Sequence, residues 1–164
     1  MIRMSKLPVL IPAMALGFIL GGTPAAAQKS IEGAWTVEEW AFGDEATREV
    51  QPGMFLFTST HYSIFYVNQL APRAVPADGS PGGMTDAEKL VAYDEFTANA
   101  GRYELEGNTL TTRAFVAKNP SYMARWPDNA QEYSVAWDGD ALLLTAANGS
   151  TARLVRREGE PAPW

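Results

Sequence analysis

Few side chains in this sequence have the chemistry to act on a substrate, and their spacing limits what each can do. His61 is the single histidine. Its ordinary pKa near neutrality makes it the natural general base if the chain is an enzyme. It follows Ser59-Thr60 at a hairpin tip, where an exposed or capping role is the expectation, and the sequence places no carboxylate beside it. Glu38-Glu39 is a carboxylate pair, but neighbours on a strand point to opposite faces and so cannot work on one bond. One histidine and no cysteine exclude a zinc site of the usual nitrogen and sulfur type. There is no Gly-Lys-Ser/Thr phosphate loop and no Gly-x-Ser-x-Gly elbow. The sequence thus calls for no metal and no cofactor. What remains are tyrosines 62, 66, 103 and 133, each a large apolar wall with a hydroxyl that needs a partner. The segment from Asn119 to Pro127 adds Tyr122, Arg125 and Trp126. Apolar groups are unusual on an exposed connection, so this loop is expected to close one barrel end, with Arg125 and Trp126 as first choices for ligand contact.

The elements that must position these residues begin after an export signal. Arg3 and Lys6 precede an apolar run from Leu7 to Leu20 and then Gly21-Gly22-Thr23-Pro24-Ala25-Ala26-Ala27, which predicts cleavage after Ala27. About 14 apolar residues are too few for a spanning helix, so no membrane anchor is expected and the product is periplasmic or secreted. Residues 28–164 then form one domain. Without Arg3 and Lys6 it carries 11 basic and 19 acidic side chains, a formal charge of −8. That balance repels phosphate backbones and disfavours nucleic acid.

Turn chemistry organises the domain. Glu106-Gly107-Asn108-Thr109, Trp137-Asp138-Gly139-Asp140 and Asn148-Gly149 lie between alternating apolar stretches, the signature of β-hairpins. Strands are predicted over 33–42, 53–58, 61–68, 101–106, 109–117, 131–137, 140–146 and 150–157. Regular spacing and intervening turns predict an all-β, antiparallel up-and-down barrel of about eight strands with one short helix. That helix is expected over 85–99, starting with a capping box of Thr85 and Glu88 and ending before Gly101. The Pro- and Gly-rich stretch from 72 to 83 reads as a surface loop.

Register follows from the turns. A two-residue Gly107-Asn108 turn sets Leu105 opposite Leu110, Tyr103 opposite Thr112 and Arg102 opposite Arg113. In the last hairpin, a three-residue Ala147-Asn148-Gly149 turn pairs Leu142 with Leu154 and Leu144 with Ala152, whereas a two-residue turn would bring charge inward. Arg156 then shares the inner side with Leu154 and reaches the start of the first strand. Gly33, Trp35 and Arg156 are therefore the predicted closure, with Arg156 lying across the indole. Strands 53–58 and 61–68 are apolar on both faces and need a second cover, either the helix or a subunit interface. Oligomeric state stays open.

Gly33-Ala34-Trp35, the hairpin from Gln51 to Ile64, the stretch from Gly101 to Pro120 and Asp138-Gly139-Asp140-Ala141-Leu142-Leu143-Leu144 together resemble the bacterial lipocalin-like domains. The resemblance covers most of the mature chain and implies a β-barrel with a central cavity for a small apolar ligand. Many relatives carry a histidine where this chain has Thr112 and Arg113, so chemistry tied to that group is not implied. The reading is an exported lipocalin-like protein that binds or carries a small hydrophobic molecule. Two alternatives stand beside it: a cavity enzyme of isomerase or cyclase type using His61 or a tyrosine, and a ligand-free envelope interaction module.

Overall fold

A computed structural model describes residues 29–76, 79–80 and 82–157. The export signal expected over 1–27 lies outside them. Strands β1 (Gly33–Phe42), β3 (Gly53–Phe57), β4 (His61–Val67), β5 (Phe96–Glu106), β6 (Thr109–Ala117), β7 (Ala130–Asp138), β8 (Ala141–Ala146) and β9 (Thr151–Arg156) pair antiparallel in sequence order. β1 also pairs with β9, which closes the sheet into a barrel of eight strands. A three-residue strand, β2 (Glu45–Thr47), extends the free side of β1. The predicted turn registers hold: Leu105 faces Leu110, Arg102 faces Arg113, Leu142 faces Leu154 and Leu144 faces Ala152. Gly149 takes φ +85°, the left-handed position that its three-residue turn requires.

The core occupies one half of the barrel. Trp35, Leu110, Leu142 and Leu154 are fully buried, with Phe57, Tyr62 and Val135 packed among them. At the seam Trp35 pairs with Arg156, whose guanidinium lies 4.3 Å from the indole centroid. The same guanidinium donates to the carbonyls of Glu32 (2.5 Å) and Ser30 (2.8 Å). Gly33 sits beneath it with φ +124°, and a Cβ there would collide with Arg156 Nη1. Trp35 Nε1 donates to the Ile31 carbonyl at 2.8 Å. This end is thereby sealed.

Two expectations need correction. The helix, α1, covers only Asp86–Asp94, and β5 begins at Phe96 rather than 101. The capping box forms as predicted, but Phe96 to Arg102 pair with Val67 to His61 of β4. Without that ladder half of a core strand would keep unpaired backbone groups, so tertiary pairing overrides local helix preference. Asn68 fixes the boundary: its backbone N–H donates to Glu95 and its side chain to Asp94. The helix is also no cover for β3 and β4, since none of its residues is buried and Leu90 and Val91 face solvent. The second correction concerns Glu38 and Glu39. The register shifts between Val37 and Glu39, and this bulge turns both carboxylates outward, where Arg48 contacts both and Arg153 also pairs with Glu38.

Candidate functional site

Opposite the sealed seam, the barrel is hollow. A cup of about 680 Å³ opens where β1, β4, β6 and β8 end and β3, β5, β7 and β9 begin. Its floor is Ile64, Leu144 and Ala152, all buried. The bulge in β1 shapes the wall. Alternation from Trp35 and Val37 would turn Glu39 inward, but the shifted register pairs Trp40 with Ala152 and aims the indole into the cup. There it packs 4.9 Å from Tyr66, which in turn stacks on Phe55 at 6.2 Å. Phe42 and Leu70, both about half exposed, form an apolar rim.

Polar groups enter from β5 and β7. Thr97 pairs with Tyr66 and Asn99 with Ile64, so both side chains share the inner face and line the cup with Gln131 and Tyr133. The Tyr66 hydroxyl bonds Thr97, and Tyr62 and Tyr133 both engage Thr112. The Asn99 amide has no hydrogen-bond partner among the described residues, which leaves its donors and acceptor for whatever enters.

Burial governs the acidity of these phenols. It pushes Tyr62 up to about 12 from the ordinary 10.0, against the opposing bond with Thr112. Burial also raises Tyr66, and raises Tyr133 more strongly with help from the neighbouring tyrosines. The hydroxyls are therefore neutral donors at physiological pH. An unfolded phenol ionises near pH 10, so the stability that these buried groups contribute is intact below about pH 10 and is lost as pH rises through the folded values. For Tyr62 that window runs from 10.0 to about 12. A urea midpoint that is level up to about pH 10 and then falls, with the phenolate absorbance of Tyr62, Tyr66 and Tyr133 appearing only on unfolding, is the expected result. Phenolate absorbance from all tyrosines in the still-folded protein near pH 10 would contradict it.

The structure gathers some of the sequence-nominated residues and separates others. Tyr66, Tyr122 and Tyr133 line the cup, and Tyr62 lies buried in the core next to its floor. Tyr103 belongs to the sealed end, where its hydroxyl donates to the Thr58 carbonyl at 2.5 Å and its ring meets Phe57. The loop from Asn119 to Pro127 reaches the cup only through Tyr122. Trp126 packs edge-on against Phe115 on the outer wall, 5.9 Å away and 44% exposed, and Arg125 is exposed with φ +63°. Neither is among the lining residues. His61 is also outside: its neighbour Tyr62 points inward, while the imidazole bonds Thr60 Oγ1 at 2.7 Å and packs on Phe115. Gly33, Trp35 and Arg156 meet at the opposite end of the barrel.

Sequence reasoning passed over Trp40, Thr97, Asn99, Gln131 and Asn129. Asn129, 5% exposed, donates to the carbonyls of Ala114 (2.8 Å) and Tyr122 (2.5 Å) and so fixes the Tyr122 loop to β6. The period-2 pattern of 96–100, once separated from the helix, would have revealed Thr97 and Asn99.

Three solved structures are similar in shape. A lipocalin-like protein from Bacteroides uniformis is 16% identical, with a TM-score of 0.47, over 77% of this chain and 97% of its own. An uncharacterized protein from Bacteroides eggerthii is 12% identical, with a TM-score of 0.45, over 77% of this chain and 98% of its own. A single-residue mutant of the fluorescent protein UnaG is 13% identical, with a TM-score of 0.32, over 79% of this chain and 97% of its own. No protein-family profile and no curated protein matches the sequence.

Proposed function

We propose that this chain is an exported binding protein that holds one small, largely apolar molecule in the open half of its barrel. The observation that carries the reading is the cup itself, about 680 Å³, walled by Trp40, Phe55 and Tyr66 above a buried floor. An eight-stranded barrel is at the size where side chains either fill the interior or leave room for one ligand, and here each outcome occupies one half. Export rests on the basic start, apolar run and small-residue site of residues 1–27. Binding is favoured over base catalysis because His61 faces away from the cup and the buried phenols hold their protons at neutral pH.

The test is a titration with Nile red, a neutral apolar dye, followed by displacement with molecules extracted from the source cell. Blue-shifted emission that saturates at one dye per chain is expected. Ala146→Trp places an indole inside the cup and should abolish the signal while leaving the melting temperature close to that of the parent. Dye binding that survives this substitution would place the site elsewhere.

A further inference from the structure

The cup is not uniformly apolar; its polar and apolar groups are segregated around the barrel. Below the rim, the arc formed by β4, β5 and β7 presents Tyr66, Thr97, Asn99, Gln131 and Tyr133. The facing arc of β8, β9, β1 and β3 presents Leu144, Ala146, Ala152, Trp40 and Phe55. On the polar arc Ile64 interrupts below the rim and Val67 and Ala130 at the strand ends nearest the mouth, while Asn148 and Ser150 break the apolar arc at the turn on the rim. Sheet order makes each arc continuous, because the barrel runs β8-β9-β1-β3 on one side and β4-β5-β6-β7 on the other.

Charge is the second half of the argument. Among the described residues no lysine or arginine lines the cup, and the single charged lining residue, Glu132, lies exposed between the inward-pointing Gln131 and Tyr133. An anionic head in the cup would lose its hydration with no cation to replace it, beside a carboxylate at the mouth. The neutral phenols and the Asn99 amide, which has no partner among the described residues, can serve an uncharged polar group, because each offers a hydrogen bond at no cost in charge burial.

Resting on the binding reading above, we propose that the occupant is an uncharged, two-sided molecule. It has a rigid apolar face toward Trp40 and Phe55 and a hydroxyl- or carbonyl-bearing edge toward Asn99, Gln131 and Tyr133. This excludes free fatty acids and other carboxylates as the preferred class. An uncharged ring system with one hydrogen-bonding edge fits both arcs at once.

Equilibrium dialysis of the full chain against pyrenemethanol, pyrene, pyrenecarboxylate and palmitate tests the assignment. The alcohol should bind about tenfold more tightly than pyrene, as one or two added hydrogen bonds predict, and the two carboxylates should bind more weakly than either. Asn99→Leu should remove the preference for the alcohol while pyrene binding persists. Gln131→Met, at an exposed position, gives the same comparison if Asn99→Leu does not fold. Equal affinity for pyrene and its alcohol, or a carboxylate as the tightest ligand, overturns the two-sided assignment and leaves the binding reading standing. If none of the four probes binds, both fall.

Discussion

Trp35→Ala should destabilise the protein by about 3–5 kcal/mol, the cost of truncating a buried tryptophan. Trp35 has no exposed surface, and three separate contacts converge on it: the Ile31 carbonyl on Nε1, the Arg156 guanidinium over one face and Trp137 at 5.9 Å. Alanine leaves a cavity at the seam and an unpaired carbonyl at Ile31, and it removes the surface against which Arg156 rests. For a domain of this size the melting temperature should fall by roughly 10–20 °C. Arg156→Gln should cost less, about 0.5–2 kcal/mol, because the cation–π contact and the bonds to Glu32 and Ser30 lie toward solvent. The two substitutions touch the same contact, so their combined effect should fall short of the sum. Urea unfolding of the four proteins in that cycle measures this. Strict additivity would show that ring and cation do not interact, and a Trp35→Ala stability within about 1 kcal/mol of the parent in the same urea series would show that the seam is not held by the indole.

How much of this was visible in the amino-acid sequence depended on whether local chemistry or tertiary pairing decided a position. Turns with a demanding backbone spoke for themselves: Gly107-Asn108 and Gly149 fixed two hairpin registers and, through them, the inner face of four strands. The charge of Arg153 was enough to choose between two turns, since the alternative would have buried it. Positions downstream of a bulge were hidden. Trp40 stands on the inner face only because β1 gains a residue after Val37, and nothing in Glu38-Glu39 announces that extra residue. Thr97 and Asn99 were hidden by a different effect, because a good capping box and a stop at Gly101 predicted helix through a segment that β4 claims as its partner. Trp126 illustrates a third: an apolar side chain on a mouth loop can satisfy itself against an outer-wall aromatic such as Phe115 as well as against the cavity. The barrel was therefore legible, while the composition of the cup was not.

Gly101→Ala is the second substitution from which a large effect follows, and its cause is steric. Gly101 lies where the register of β5 against β6 shifts, opposite Tyr62 on one neighbour and Ala114 on the other. A Cβ at this position would overlap the Arg113 carbonyl oxygen, with the Arg113 carbonyl carbon at 2.7 Å and the Ala114 Cα at 2.8 Å. These are backbone atoms of the paired strand, so no side-chain rotation relieves the clash. Either β6 moves away, breaking ladder bonds on both sides of the bulge, or the bulge, whose extra residue is Phe115 of β6, relocates and changes the phase of Val116 and Ala117. The expected cost is about 3 kcal/mol or more, at or beyond the upper end for overpacking a well-ordered interior. Gly139→Ala is the control: its Cβ would meet nothing within 4 Å, and only the φ of +55° opposes it. That penalty is about 1 kcal/mol. Chemical denaturation of both variants separates a backbone clash from a conformational preference, and equal losses at the two glycines would mean that β5 and β6 do not approach as closely at Gly101 as the structure has them.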